Sequence, residues 1–215
     1  VSLDQPGTSD ALWKINNQLG IRPEWVLAVI YLESKFNPAA TNPSGCVGLN
    51  QFCRSTFSNY VGVSPEEYKS WPASAQLSGP IFNYWRDATR SGTIDSAAKL
   101  MVAQLSQAAL KRAHSPGDVV FSAPSAEYEQ NQKVFDPNKK GYFTLGDIAG
   151  VLGYLSKLQV VQAAVNDAYY LHEHPEFRAP TVSGHGALWA GAFALALGAA
   201  YGAYSARKGR FAWIR

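Results

Sequence analysis

No aspartate or glutamate occurs between residues 34 and 65, although the 215-residue chain carries 16 acids. A second carboxylate for that stretch would have to fold back from Glu66, Glu67 or Asp87. Basic residues are also sparse. Four of the 19, Arg207, Lys208, Arg210 and Arg215, follow residue 206, and every acid precedes residue 186, so the formal +3 becomes about −1 without them. With no basic patch to neutralise phosphates, a nucleic-acid partner is excluded. Only two cysteines are present, Cys46 and Cys53. Their closeness allows a small disulfide loop if the chain works outside the cytoplasm, and two free thiols fit equally well. Neither is expected as a nucleophile, because no histidine lies near them in sequence. His172 and His174 form a His-x-His pair in a linker-like run, but two ligands do not make a metal site. No metal and no cofactor are expected. Repeats and low-complexity tracts are absent, and the chain opens at Val1 without the basic, apolar region of an export signal.

What is present starts with a helix. Gly20-Ile21-Arg22 closes one segment, Pro23 suits a first helical position and Glu24 favours the positive helix start. Trp25, Val26, Val29, Ile30 and Leu32 then recur at helical spacing and mark a buried face. Glu33 lies one turn beyond Val29 and Ile30, beside apolar side chains. Desolvation there disfavours the charged carboxylate and raises its pKa towards a working pH, as a general acid requires. Asn37-Pro38 is expected to stop the helix, because proline disfavours helical geometry in the residue before it. A turn-rich run, Thr41-Asn42-Pro43-Ser44-Gly45, leads to Val47-Gly48-Leu49-Asn50-Gln51-Phe52. Gly48 would let the backbone pass close to a ligand, and Gln51 offers both donors and acceptors.

The run Glu33-Ser34-x-Phe36-Asn37-Pro38, a Ser-Gly turn, and Gly48-Leu49-x-Gln51-Phe52 together resemble the first two motifs of the lytic transglycosylases, in the goose-type lysozyme superfamily. The resemblance implies that Glu33 is the catalytic acid/base. It matches Ser34 to the hydroxyl beside that acid, and Gly48, Leu49 and Gln51 to the substrate-groove motif. Asn50 stands where the family often has Met or Trp, so substrate contacts there differ. The family's third motif, a Tyr-Asn or His-Asn pair on a later helix, has no match. The corresponding helix, expected over 95–113, offers Gln104, Ser106 and Gln107 as substitutes. The resemblance covers residues 25–56 firmly and extends to about 155.

The acid count then bears on mechanism. Glycosidases ordinarily flank the scissile bond with two carboxylates. A single one fits non-hydrolytic cleavage of peptidoglycan between N-acetylmuramic acid and N-acetylglucosamine, with the substrate's acetamido group stabilising positive charge and a 1,6-anhydro ring as product. A goose-type hydrolase would begin similarly and admit water. Six tryptophans and eleven tyrosines supply flat faces for sugars, although most aromatics are core.

The expected architecture is mainly α: a lysozyme-like domain over 1–171, a linker over 172–185, an apolar transmembrane helix over 186–206 and a basic tail over 207–215. The 21 uncharged residues of 186–206 would span roughly 30 Å as a helix, enough for a bilayer core. Trp189, Tyr201 and Tyr204 lie near its ends as interfacial anchors do. Helices are also expected from Pro65, over 74–90 with Leu77, Ile81, Tyr84 and Trp85 on one face, and from about Leu145. The block 136–147 has the outline of a calcium loop, but Lys140 and Asp147 sit at the wrong ligand positions, and a turn with Thr144 capping a helix is preferred. Taken together, these features suggest a bacteriophage virion protein that opens the wall during genome entry. It would be membrane-associated, act in the host periplasm and contact other virion proteins. A bacterial envelope enzyme is the rival, and a catalytically silent wall-binding or membrane-penetrating protein is a third reading.

Overall fold

Gly20, in the left-handed region at φ 70°, ends helix α1 (Thr8–Leu19) by returning its N–H to Asn16. The chain passes through extended Arg22 into α2 (Pro23–Ser34), with proline in the first turn as expected. The computed structural model describes residue 3 and residues 7–177. Within it α2 is the central element, packed by α1 and by two later helices, α7 (Ala97–Leu105) and α9 (Leu145–Leu155). Its middle, Val26 to Ile30, is closed off from water all round. That is broader than the stripe read from sequence, since Leu27 and Ala28 are buried while Trp25 and Leu32 are only partly covered.

Helices α3 (Arg54–Tyr60), α4 (Pro65–Ser70) and α5 (Ala73–Gln76) follow. Helix α5 runs through a π-helical turn, Leu77–Ile81, into α6 (Phe82–Thr89). Pro80 has no N–H to give the ladder, and the wider turn absorbs the gap. The helix expected over 95–113 is also broken. It consists of α7 (Ala97–Leu105), an extended Ser106 and a 3-10 turn Gln107–Arg112. The Tyr84 hydroxyl accounts for the break: it donates to the carbonyls of Ala103 (2.8 Å) and Gln104 (3.1 Å), satisfying acceptors that another helical turn would have used.

Strands β1 (Val119–Ser122) and β2 (Tyr142–Thr144) pair antiparallel, with Phe121 opposite Phe143. Helix α8 (Ala126–Phe135) lies between them in sequence and brings Tyr128 and Phe135 onto Phe143. Helix α9 (Leu145–Leu155) opens on a capping box in which Thr144 and Asp147 satisfy each other's backbone N–H, so the expected Thr144 cap is present. Finally α10 (Gln159–Glu173) returns to α1, where Ser9 Oγ and Trp13 Nε1 both donate to the Ala168 carbonyl. These elements, as far as His172 near the end of α10, belong to one compact unit. Among the described residues no single helix is long and apolar enough to cross a membrane. The expected membrane helix at 186–206 and the basic tail lie outside the described residues.

Candidate active site

Glu33 occupies the last turn of α2, which ends at Ser34, earlier than the Asn37-Pro38 stop expected from sequence. Two consecutive non-glycine residues, Lys35 (φ 53°) and Phe36 (φ 65°), adopt the left-handed region and turn the chain sharply. Such a conformation costs roughly 1–2 kcal/mol per residue. Burial of Phe36 against Tyr31 offsets part of it, and the Lys35 N–H caps the Tyr31 carbonyl at 3.1 Å. The Lys35 ammonium lies 4.4 Å above the Tyr31 ring.

Glu33 reaches the surface in part, yet protein crowds its carboxyl. Desolvation raises its pKa from 4.5 to about 8, and the Lys35 charge opposes the rise. No protein donor bonds the carboxyl among the described residues, and no second carboxylate figures among its influences. Two of the three acids that might have folded back are engaged with other groups. Asp87 takes the Tyr60 hydroxyl at 3.2 Å and faces Arg90, and Glu66 pairs with Lys69 at 2.8 Å. At resting pH Glu33 therefore holds a proton that it can donate.

The loop after Glu33 is a closed hairpin. Val47 and Phe52 exchange both backbone hydrogen bonds, at 3.1 and 2.9 Å. The next residues outward then face one another across a narrow pair, and here Cys46 and Cys53 form a disulfide with Cα atoms 4.1 Å apart. Of the two readings the cysteines allowed, the structure takes the bridged one.

The motif residues at the end of α2 and in this hairpin point inward. Ser34 donates its hydroxyl proton to the Ile30 carbonyl (3.1 Å), Leu49 is core, and Gln51 Nε2 donates to Gly48 O (2.8 Å) and Ala40 O (3.3 Å). Gly48 has φ 83°, and a Cβ there would overlap the Tyr68 ring and crowd Gln76 Oε1. Packing therefore requires the glycine, and protein fills the space in which a ligand was expected. Asn50, 0% exposed, donates from Nδ2 to Gln104 Oε1 at 2.5 Å, while Gln104 Nε2 donates to Asn50 O at 2.6 Å. Asn50 Oδ1 is enclosed without a hydrogen-bond partner. The three residues at the end of α7 separate by role. Gln104 grips Asn50, Ser106 returns its N–H to Val102 O, and Gln107 donates to Tyr84 O (3.0 Å) and reaches the Tyr60 hydroxyl.

Three further residues belong to this neighbourhood and were not read as functional from sequence. Gln76 is fully buried; its Oε1 accepts from Leu49 N (2.9 Å) and its Nε2 donates to Pro38 O (2.9 Å) and Tyr68 O (3.1 Å). The signal available was a polar residue on the apolar spacing Ala73, Leu77, Pro80. Tyr84 and Tyr60 stand edge to face at 5.2 Å beside Phe52. Burial raises the Tyr84 pKa, with the charges of Tyr60 and Glu33 adding to it, so Tyr84 lies within electrostatic reach of Glu33. Its helical spacing with Leu77, Ile81 and Trp85 reads only as core. In the 136–147 block, Lys140 Nζ occupies Asp147 at 2.8 Å, and Asp136 is saturated by protein donors, so the block is a braced turn.

A protein-family model described as Transglycosylase SLT domain matches residues 11–72. The matched stretch runs from α1 through Glu33 and the disulfide hairpin to the residue before α5. It supports the lytic transglycosylase and lysozyme-like superfamily, a mainly helical fold of that kind, and peptidoglycan as the substrate class. No curated protein and no solved structure matches the chain.

Proposed function

We propose that the chain is a lytic transglycosylase that cleaves the β-1,4 bond between N-acetylmuramic acid and N-acetylglucosamine and leaves a 1,6-anhydromuramyl end. One observation carries this reading: a single carboxyl at the end of α2, desolvated by the surrounding protein, with no second carboxylate beside it among the described residues. Glu33 donates its proton to the bridging oxygen as the glycosidic bond breaks. The substrate's acetamido oxygen closes on the anomeric carbon and carries the positive charge. Glu33, now a carboxylate, removes the proton from the muramyl 6-hydroxyl, whose oxygen displaces the acetamido group and closes the anhydro ring. One residue acts as acid and then as base, and the proton balance returns to its start.

The disulfide supports work in an oxidising compartment outside the cytoplasm. The setting we propose is a bacteriophage virion that opens the host wall during genome entry, tethered to membrane through the apolar run 186–206. Detection of the chain in purified particles tests that setting, and its presence only in the envelope of uninfected cells would replace it with the bacterial one.

The chemistry is tested by mass spectrometry of muropeptides released from purified peptidoglycan by the intact chain and by Glu33→Gln. Anhydro ends that vanish in the variant are the expected result. Reducing ends would make the protein a goose-type hydrolase. Binding without cleavage by either form would leave a silent wall-binding protein.

A further inference from the structure

Gln104 is where three supports meet. Its side-chain amide makes two short bonds with Asn50, at 2.5 and 2.6 Å, and its backbone carbonyl accepts from the Tyr84 hydroxyl at 3.1 Å. One residue on α7 thus joins the disulfide-closed hairpin to α6, across 54 residues of sequence on one side and 20 on the other. Helix α7 also packs along α2, whose last turn carries Glu33. The two amide bonds are directional and partly buried, with Asn50 fully covered and Gln104 half-buried. Breaking them leaves the Asn50 amide and carbonyl buried and unpaired unless the hairpin moves to find water.

Charged groups stand on more than one side of Glu33. Lys35 follows it on the chain, and Tyr84 approaches from α6 with Tyr60, Asp87 and Arg86 one step further out. On the other helices packed against α2 the charged side chains Lys14, Lys99 and Asp147 each have a partner. Lys14 of α1 donates to Ser78 O, Lys99 of α7 pairs with Asp95, and Asp147 of α9 pairs with Lys140.

We propose that Gln104 is a positioning residue for the Glu33 reaction: its amide pair with Asn50, and the Tyr84 hydroxyl on its carbonyl, hold the hairpin, α6 and the end of α7 as one wall against the helix that carries Glu33. Gln104 touches no reacting atom. It acts through Asn50 and the hairpin, and the proposal rests on the reading of Glu33 as the acid. A loosened wall admits water, and water favours the ionised carboxylate.

The test uses the full chain with Gln104→Ala, Asn50→Ala and the double variant. Gln104→Met is added, since it keeps most of the volume and removes both hydrogen bonds. The titration midpoint of the Glu33 δ-carbon, followed by NMR, is expected to fall by about one unit or more in each single variant. The double variant should fall no further, because both changes break one linkage. In the cleavage assay, turnover should drop by about 10²-fold, the size of effect expected when reacting groups shift by about 1 Å, and the alkaline limb should move down in pH. A midpoint unmoved in folded Gln104→Ala or Gln104→Met, whatever their melting temperatures, overturns the positioning role. The NMR reading needs no cleavage, so a wild-type chain that cuts nothing would end the transglycosylase reading and still leave this wall tested.

Discussion

Glu33 and Asp136 are both carboxyls crowded by protein, one at the end of α2 and the other at the end of α8, and their pKa values are displaced in opposite directions. Asp136 is 2% exposed, yet its Oδ1 accepts from the Lys140 N–H at 2.9 Å and its Oδ2 from the Gly141 N–H and the Tyr128 hydroxyl, both at 2.9 Å. Desolvation pushes its pKa up, but these donors and the Lys140 charge outweigh it and leave the carboxyl below its ordinary value. Glu33 has the desolvation without the donors, and its pKa rises. Burial alone therefore does not decide charge; the supply of N–H and O–H groups does. The braced turn holds a structural anion, and the end of α2 holds a proton in reserve.

The largest expected effect breaks this contrast at its reactive side. Glu33→Gln should lower cleavage by about 10³-fold or more, within the range contributed by general acids. The same variant should be the more stable protein in mild alkali. A carboxyl whose folded pKa lies above its unfolded value weakens the native state as pH rises from about 4.5 to about 8, because only the unfolded chain has released the proton. The shift sets an upper bound of roughly 5 kcal/mol, which partial exposure reduces to about 2–3 kcal/mol. Urea midpoints at pH 8 should favour the variant and at pH 4 should coincide; a variant weaker at pH 8 would remove the stored proton from the account. Asp136→Asn should behave oppositely. Its native advantage is present above the unfolded pKa of 3.8 and lost as pH falls through the lower folded value, so the deficit should be plain at neutral pH and fade in acid.

Next in size are the supports that keep the hairpin closed over its own polar groups. Gln76→Leu strands Leu49 N and Pro38 O and takes one of two donors from Tyr68 O, and about 3 kcal/mol of unfolding free energy should disappear in urea titration. A loss under about 1 kcal/mol would show that water replaces the glutamine freely. Replacing both Cys46 and Cys53 by serine should cost less, about 2 kcal/mol, because the loop they close is short. Activity should survive that change at moderate temperature, since the Val47–Phe52 pair and Gln76 hold the same loop.

How much of this was legible in the chain follows from how far apart the partners lie. The α2 helix and its acid were readable because Pro23, the apolar spacing and Glu33 are local signals. The Thr144 cap was readable for the same reason, with Asp147 three residues on. The left-handed corner was not. Neither Lys35 nor Phe36 is glycine, and what holds Phe36 there is its burial against Tyr31. Asn50 and Gln51 read as ligand groups because a polar residue in a loop carries no sign of what it bonds. One meets Gln104 on α7 and the other meets Ala40 and Gly48 across the hairpin. The α7 break had no cue in its own residues, since the hydroxyl that takes its last carbonyls belongs to Tyr84 on α6.

The smallest expected effect sharpens the contrast by adjusting it. Lys35 is the charge that opposes desolvation at Glu33, and its ammonium is held above Tyr31. Lys35→Met removes the charge and keeps a long apolar stem, so the Glu33 carboxylate loses the favourable charge beside it and its pKa rises further. The alkaline limb of the cleavage profile should then move up by less than about one unit, because a half-solvated ammonium is strongly screened. Arginine at the same position should restore the wild-type limb. Added salt should push the wild type towards the Lys35→Met profile and barely move the variant. A limb that stays fixed in Lys35→Met, or shifts to lower pH, would mean that solvent already cancels the lysine and that desolvation alone sets the acid.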